Sequence, residues 1–393
     1  MTDCMIPNGY KKTSLGVIPQ EWEISTLNNA CNFLDSQRIP IKDSDRIKEP
    51  GIYPYYGASG IIDYINKYIF DDELILLAED GANIINRSTP IAFLVNGKIW
   101  VNNHAHVLKV KSQFDRYYLC AYLESLRYDK YNTGTAQPKL NKDICKKIPV
   151  LMPPLSEQRK IAQILELWDK AIAKQSQLIE KLELRKKGLM QQLLNGKRRL
   201  PGFYGEWEKV TAGSLFVNSS VRSNNSEPLL SVTQDKGVIP RDMLKTRVTM
   251  PTGNLSSFKL VNIGNFVISL RSFEGGLEYS KYRGLVSPAY TVLERKTDIN
   301  DIFYKVYFKS YDFIQRLAIA VIGIRDGKQI NYSDFCYIKI PFPSLQEQKA
   351  IANIFLMCDQ EIILAKQKLT KFQQQKKGLI QNLLTGKKRV KKL

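Results

Sequence analysis

The chain has 393 residues, room for about two domains of ordinary size, each with a real core, and carries a formal charge of +20. No run approaches the ~20 apolar residues of a membrane span, and the opening MTDCMIPNGYKK lacks the apolar core of a signal peptide. Cys4, Cys31, Cys120, Cys145, Cys336 and Cys358 show no CxxC pairing or metal-like spacing, so they read as free thiols of a cytoplasmic protein.

In chain order, a short arm leads to LGVIPQEWEISTL (Leu15–Leu27), which opens a first domain within residues 1–150. Its interior carries GIYPYYGASGIIDYI and then two alternating stretches, Ile91–Val95 and Lys98–Val110, split by Asn96-Gly97 as a hairpin signal. Tyr117–Tyr128 has helical character, and a Gly/Pro loop over Thr133–Ile144 leads out of the domain. Residues 151–199 form a long helix, with a proline and Ser156 as N-cap before it and Asn195-Gly196 after it. A second domain, residues 200–340, opens with LPGFYGEWEKVTAGSLF, and residues 341–393 repeat the long helix with a basic tail. Strands dominate both domains, each with one or two helices, which predicts a mixed α/β or α+β fold.

The helical segments repeat at a constant offset of 190 without a gap: PPLSEQRKIAQIL…KKGLMQQLLNGKRR from Pro153 returns as PSLQEQKAIANIF…KKGLIQNLLTGKKR from Pro343. Ile161, Leu165, Trp168, Ile172, Gln175, Ile179, Leu182, Leu189 and Leu193 recur by four and three, as do Ile351, Phe355, Cys358, Ile362, Ala365, Leu369, Phe372, Leu379 and Leu383. A seam of about five heptads needs a partner along its length, and the other copy is the natural one. The fold expected is therefore two domains joined by two long helices packed as an antiparallel coiled coil, with an internal pseudo-twofold repeat. Both seams are interrupted at Lys186 and Lys376, just before a helix-interior glycine; a frayed last turn and a contact for a partner protein both remain open.

Charge is unevenly placed. Residues 16–147 hold 16 basic and 16 acidic side chains, whereas +15 of the total lies in 148–199 and 339–393. A solubilising face and a surface for phosphates or an acidic partner both fit this.

No catalytic motif emerges. His104 and His106 lack further metal ligands at useful spacing; Gly323–Lys328 is one residue short of a phosphate loop, with Gln329 where Ser or Thr should stand. Groups suited to reading DNA are plentiful in glycine-punctuated loops. In the first domain they are Tyr55, Tyr56, Ser59, Arg87, Asn102, Asn103, His104, Gln137 and Lys139. In the second they are Thr233, Gln234, Lys236, Arg271, Ser272, Tyr279, Arg283, Arg325, Lys328, Gln329 and Asn331. Arg pairs with guanine and Asn or Gln with adenine in the major groove, while Ser, Thr and Lys hold phosphates.

The duplicated P-x-L-x-E-Q and K-K-G-L-x-Q-x-L-L-x-G-K segments, the paired Glu21-Trp22-Glu23 and Glu206-Trp207-Glu208 openings and the two dissimilar interiors resemble the specificity subunits of Type I restriction–modification systems. The resemblance covers essentially the whole chain. It implies a non-catalytic DNA reader whose two domains each read half of a split double-stranded target, with the helices setting the gap. It also implies two methyltransferase subunits using S-adenosylmethionine and two restriction subunits using ATP and Mg, with no cofactor bound by this chain. The candidate subunit contacts are Glu157, Gln158, Trp168, Lys187 and Leu189, with Glu347, Gln348, Lys377 and Leu379 in the second copy. A Type IIB-like specificity subunit, a stand-alone DNA-binding regulator and a free-standing DNA-modifying enzyme are the alternatives.

Overall fold

The computed structural model describes residues 6–134, 136–222, 227–244, 255–321 and 330–390. They form two compact units, Met1–Ser176 with Gln367–Leu393, and Gln177–Lys366. The units therefore do not follow the four segments expected from the sequence, because each takes half of each long helix.

The helices run Leu155–Leu193 and Leu345–Leu383, 39 residues each, about 58 Å at ~1.5 Å per residue. The first starts directly after Pro153-Pro154, so the expected cap Ser156 lies inside its first turn, and it stops just short of Asn195; the second follows Ser344, whose Oγ accepts the Glu347 N–H. Within the first unit the early half of the first helix runs antiparallel to the late half of the second: Trp168 meets Phe372 edge to face, and Lys376 pairs with Asp169. In the second unit the halves exchange roles, with Lys186 on Asp359 at 2.5 Å and Lys366 on Glu183 at 2.7 Å. The seam residues Ile161, Leu165, Ile179, Ile351, Phe355, Cys358 and Ile362 are buried, which is what an apolar stripe at heptad spacing requires. Lys186 and Lys376, which interrupt the seam, form these interhelical ion pairs; neither belongs to a frayed turn.

The interior of the first unit is a six-stranded sheet in the order Cys31–Phe33, Ala105–Val110, Phe70–Ala78, Ala92–Val101, Pro50–Gly57, Gly60–Ile65. Phe70–Ala78 is central and buried at five consecutive positions, as a strand covered on both faces should be. The hairpin expected at Asn96-Gly97 is absent: Ala92–Val101 runs through it, antiparallel to Phe70–Ala78, and Gly97 supplies a positive φ of 72° inside the strand. Arg116 Nη1 holds Asn96 Oδ1 at 2.7 Å, which ties the strand at this point to the start of the helix Arg116–Ser125. A turn at Asn102–His104 leads on to Ala105–Val110, which also runs antiparallel to Phe70–Ala78, on its other edge.

The second interior is built differently, around a four-stranded sheet in the order Phe216–Ser219, Thr291–Arg295, Phe266–Ile268, Glu278–Tyr279. Its core is aromatic: Phe216, Phe266, Phe303, Tyr304, Phe308, Phe313 and Phe335 are all buried in one cluster with Ile351 and Phe355 of the long helix. Both interiors are bracketed alike. Glu23–Thr26 pairs antiparallel with Pro149–Met152, and Glu208–Thr211 with Lys339–Phe342, with Ile148 and Ile338 carbonyls accepting from Leu27 and Ala212 N–H.

Candidate functional site

The shared E-Q dipeptide turns out to close each unit. Trp22 Nε1 donates to Glu157 Oε2 at 3.0 Å, and Arg389 adds a fork, Nε to Oε1 at 2.7 Å and Nη2 to Oε2 at 2.9 Å. In the second unit Trp207 Nε1 donates to Glu347 Oε2 at 2.9 Å, and Arg199 Nε and Nη2 reach its two oxygens at 2.7 Å each. Beside the carboxylate, Gln158 Oε1 accepts the Asp115 N–H at 2.8 Å while its Nε2 donates to Pro153 O. Gln348 does the same for Asn300 and Pro343. One dipeptide thus bonds the start of a long helix to the cap of a helix in the interior, and to the tryptophan and arginine that flank the frame.

Each buried carboxylate is matched by a planar fork, the arrangement that makes a buried charge tolerable. Glycine follows for two reasons. Gly196 and Gly386 hold positive φ, 73° and 71°, and a Cβ on Gly386 would lie 2.4 Å from Pro19 and 3.2 Å from Trp22.

Consequently Glu157, Gln158, Glu347 and Gln348, expected to face partner subunits, are buried inside their own units, and this corrects that expectation. Trp168 and Leu189 are half-buried within the helix packing, as is Leu379. Lys187 and Lys377 are exposed. The glycines beside them, Gly188 and Gly378, would meet nothing within 4 Å if they carried a Cβ, so the packing of this chain does not require them.

In the first interior, Ser59, Asn103, His104, Gln137 and Lys139 are exposed. The end of the central strand gathers the last four of these: Glu79 N–H donates to His104 O on one side, while Gly81 N–H donates to Pro138 O on the other. His104 Nδ1 lies 2.8 Å from Asp80 Oδ2, and Lys139 Nζ 3.5 Å from Glu79. Three expected readers are instead structural. Tyr55 is 1% exposed, its phenol oxygen accepting Ile41 N–H; Asn102 is buried and braces the turn by accepting His104 N–H at 2.8 Å. Arg87, at a positive φ of 53°, bonds Glu124. Tyr56 is half-buried against Phe93.

Beneath this surface lies a residue that the sequence marked only as one of two histidines. His106 is 0% exposed, with Nδ1 2.8 Å from Asp35 Oδ2 and Nε2 2.8 Å from Leu140 O. Both ring nitrogens face acceptors, so both carry protons and the ring is an imidazolium. Burial opposes that charge, but hydrogen bonding and attraction from Asp35 and Cys145 together outweigh it and lift the ring's pKa to about 10. Burial pushes the Asp35 carboxyl up, but the bond and charge of His106, the Val107 N–H and the charge of Arg38 together hold it below the usual range. Arg38, also unforeseen, donates to Glu79 and to Ala105 O. His104 sits in the exposed turn and His106 in the buried strand Ala105–Val110.

In the second interior Gln234, Lys236, Arg271 and Arg283 are exposed. Gln234 Nε2 reaches Arg271 O at 3.5 Å, which places the Thr233–Gly237 turn beside Arg271. Arg283 is held by Glu227 at 2.8 Å and Asn262 at 2.7 Å, and Tyr279 is half-buried on Phe266. Ser272 is buried and accepts Ser269 N–H; Thr233 closes its own hairpin; Asn331 forms a capping box with Asp334. These three serve local structure. Arg325, Lys328 and Gln329 lie outside the described residues.

Two copies of one frame carrying unlike interiors is also what comparison finds. The model of the Type I restriction modification DNA specificity domain matches residues 19–184 and again 204–374. The chain belongs to this family. It is a specificity subunit, a role that supports DNA recognition without catalysis, and the Type IIB-like and stand-alone alternatives are not favoured. The type I restriction enzyme MjaVIII specificity subunit of Methanocaldococcus jannaschii is 26% identical over 427 residues, covering 96% of this chain and 95% of that one. A Haemophilus influenzae protein named for the same kind of subunit is 37% identical over 147 residues, 37% of this chain and 36% of the relative. In fold, the S subunit from M. genitalium superposes with a TM-score of 0.60 at 15% identity, over 97% of this chain and 98% of that one. Among the described residues no helix is long and apolar enough to cross a membrane.

Proposed function

We propose that each unit of this specificity subunit reads one half of a split, asymmetric DNA target, and that the paired helices fix the unspecified gap between the halves. The observation that carries this is the duplicated clasp: the same Trp–Glu–Arg and Gln contacts close two interiors that share neither sheet nor core. A frame held constant around unlike interiors suits a reader whose halves vary independently. In the first unit the reading surface is Ser59, Asn103, His104, Gln137 and Lys139; in the second it is Gln234, Lys236, Arg271 and Arg283. The chain supplies no chemistry of its own. Two methyltransferase subunits using S-adenosylmethionine would modify adenine, and two restriction subunits using ATP and Mg would join them. Lys187 and Lys377 are exposed, and the half-buried Gly188 and Gly378 beside them are unneeded by the chain's own packing, so these are where a partner backbone would approach closely.

Exchanging residues 212–338 for the interior of another specificity subunit tests the reading. The joints fall where Ala212 N–H meets Ile338 O, outside the clasp. Sequencing of methylated sites in cells carrying the chimera should show one half of the target changed and the other half and the gap kept. A chimera that altered both halves would refute independent reading.

A further inference from the structure

A cleft of about 650 Å³ opens in the second unit, lined by Lys186, Lys236, Lys281, Lys305 and Lys309, with Asp235, Glu278 and Asp359 as its carboxylates. Its volume is that of a ligand site. Two of the lysines are already answered: Lys309 by Glu278 and Lys186 by Asp359, at 2.5 Å each. Among the described residues the other three make no salt bridge; Asp235 stands among them, and Asp359, already paired with Lys186, also attracts Lys305. The cleft therefore holds a positive excess. Lys305 bears the strain most directly. It is half-buried with Nζ over the Tyr279 ring at 5.8 Å, and burial, followed by repulsion from Lys281 and more weakly from Lys186, outweighs the attraction of Asp359 and holds its ammonium below the usual lysine range. At the matching place on the helix of the first unit, Asp169 takes both Lys376 and the Tyr117 hydroxyl.

Like charges gathered in a cleft without a counterion are stabilised by an anion that reaches all of them. We propose that this cleft is a phosphate-binding site, with Lys236, Lys281 and Lys305 as its donors. The proposal deepens the DNA-reading function and rests on it for the source of the phosphate. Ammonium groups on flexible stems suit a phosphodiester as point charges, without base specificity. The site fixes where the duplex backbone lies and leaves sequence to the reading loops.

The test uses Lys281→Gln, an exposed position where folding is safe, and Lys305→Gln, alone and combined. Unchanged thermal unfolding of each variant is the control. Complexes assembled with the methyltransferase subunits are titrated with a cognate duplex and a one-base-changed duplex across a range of salt. Each substitution should lower the slope of log affinity against log salt by about 0.9, equally for both duplexes. In parallel the full chain alone is titrated with pyrophosphate and its melting temperature followed. Lost pyrophosphate stabilisation with an unchanged DNA slope assigns the site to a small phosphate-bearing ligand. Both readouts unchanged would overturn the proposal. So would a DNA slope unchanged while assembly with the methyltransferase subunits weakens, since the cleft would then serve an acidic protein surface. If the unsubstituted complex failed to distinguish the two duplexes, the DNA-reading function would fall, and the pyrophosphate titration would still judge the site.

Discussion

Glu347→Gln is the sharpest perturbation of the frame. Glu347 is 1% exposed and receives three N–H donors, two from Arg199 and one from Trp207. Glutamine keeps the shape but leaves one oxygen for three donors, and turns an NH₂ toward a guanidinium. Breaking one side of a buried ion pair costs about 3–5 kcal/mol. The Arg199 side chain is 19% exposed and regains some hydration, so the lower end, about 3 kcal/mol, applies. For a unit of this size, with ~2–4 °C per kcal/mol, the transition should fall by about 6–12 °C. Calorimetry of the full chain measures the shift, and hydrogen exchange at Glu208–Thr211 and Lys339–Phe342 locates it. A cycle with Arg199→Gln should return a coupling energy of at least ~1 kcal/mol. A fall under about 2 °C with no coupling would show that the clasp is ornamental, and that apolar packing alone closes the unit.

Two further outcomes are expected. The folded-state pKa of His106 is raised to about 10 from the ordinary 6.5; its stabilisation is therefore complete below about pH 6.5 and lost as pH rises toward 10. Chemical denaturation should show the advantage of the native chain over His106→Gln, on the order of 4 kcal/mol at pH 6, shrinking steadily to pH 10, whereas a constant advantage would contradict a buried imidazolium. Inserting four residues, about one turn or ~6 Å, after both Ser176 and Lys366 keeps the register within each unit. Methylated-site sequencing should then show the gap lengthened by a base pair or two with both half-sites intact, and a gap that did not change would exclude the helices as its ruler.

The frame was legible in the sequence because repetition exposes it: an unbroken offset of 190 and a seam at heptad spacing leave little freedom in how the helices pack. What those helices hold was harder to read. Glu157 and Gln158 look like solvated polar residues at a helix start, and their partners Trp22, Asp115 and Arg389 stand 135, 43 and 232 positions away, beyond any local pattern. The Asn96-Gly97 signal failed for a similar reason, since a tertiary contact from Arg116 outbid the local turn preference. Among the reading candidates, exposure separated Gln137 and Lys139 from Tyr55 and Asn102, and residue type alone could not. Lys281 and Lys305 carry no motif; only folding sets them around one cleft.

The division of the chain into Met1–Ser176 with Gln367–Leu393, and Gln177–Lys366, sets a timetable for its synthesis. Domains ordinarily complete themselves in the order in which they leave the ribosome. Here that order is inverted. The second unit is continuous, so all its residues are present once Lys366 has emerged. The first must wait for Leu383, Leu384 and Arg389, which cover Trp22 and Glu157. At ~5–20 residues per second, the roughly 210 residues between Ser176 and Arg389 keep it unclosed for about 10–40 s. During that interval the half-built unit leaves Trp22 and the Glu157 carboxylate without their cover, and a nascent chain interrupted between Lys366 and Arg389 is left with one finished unit, the later one.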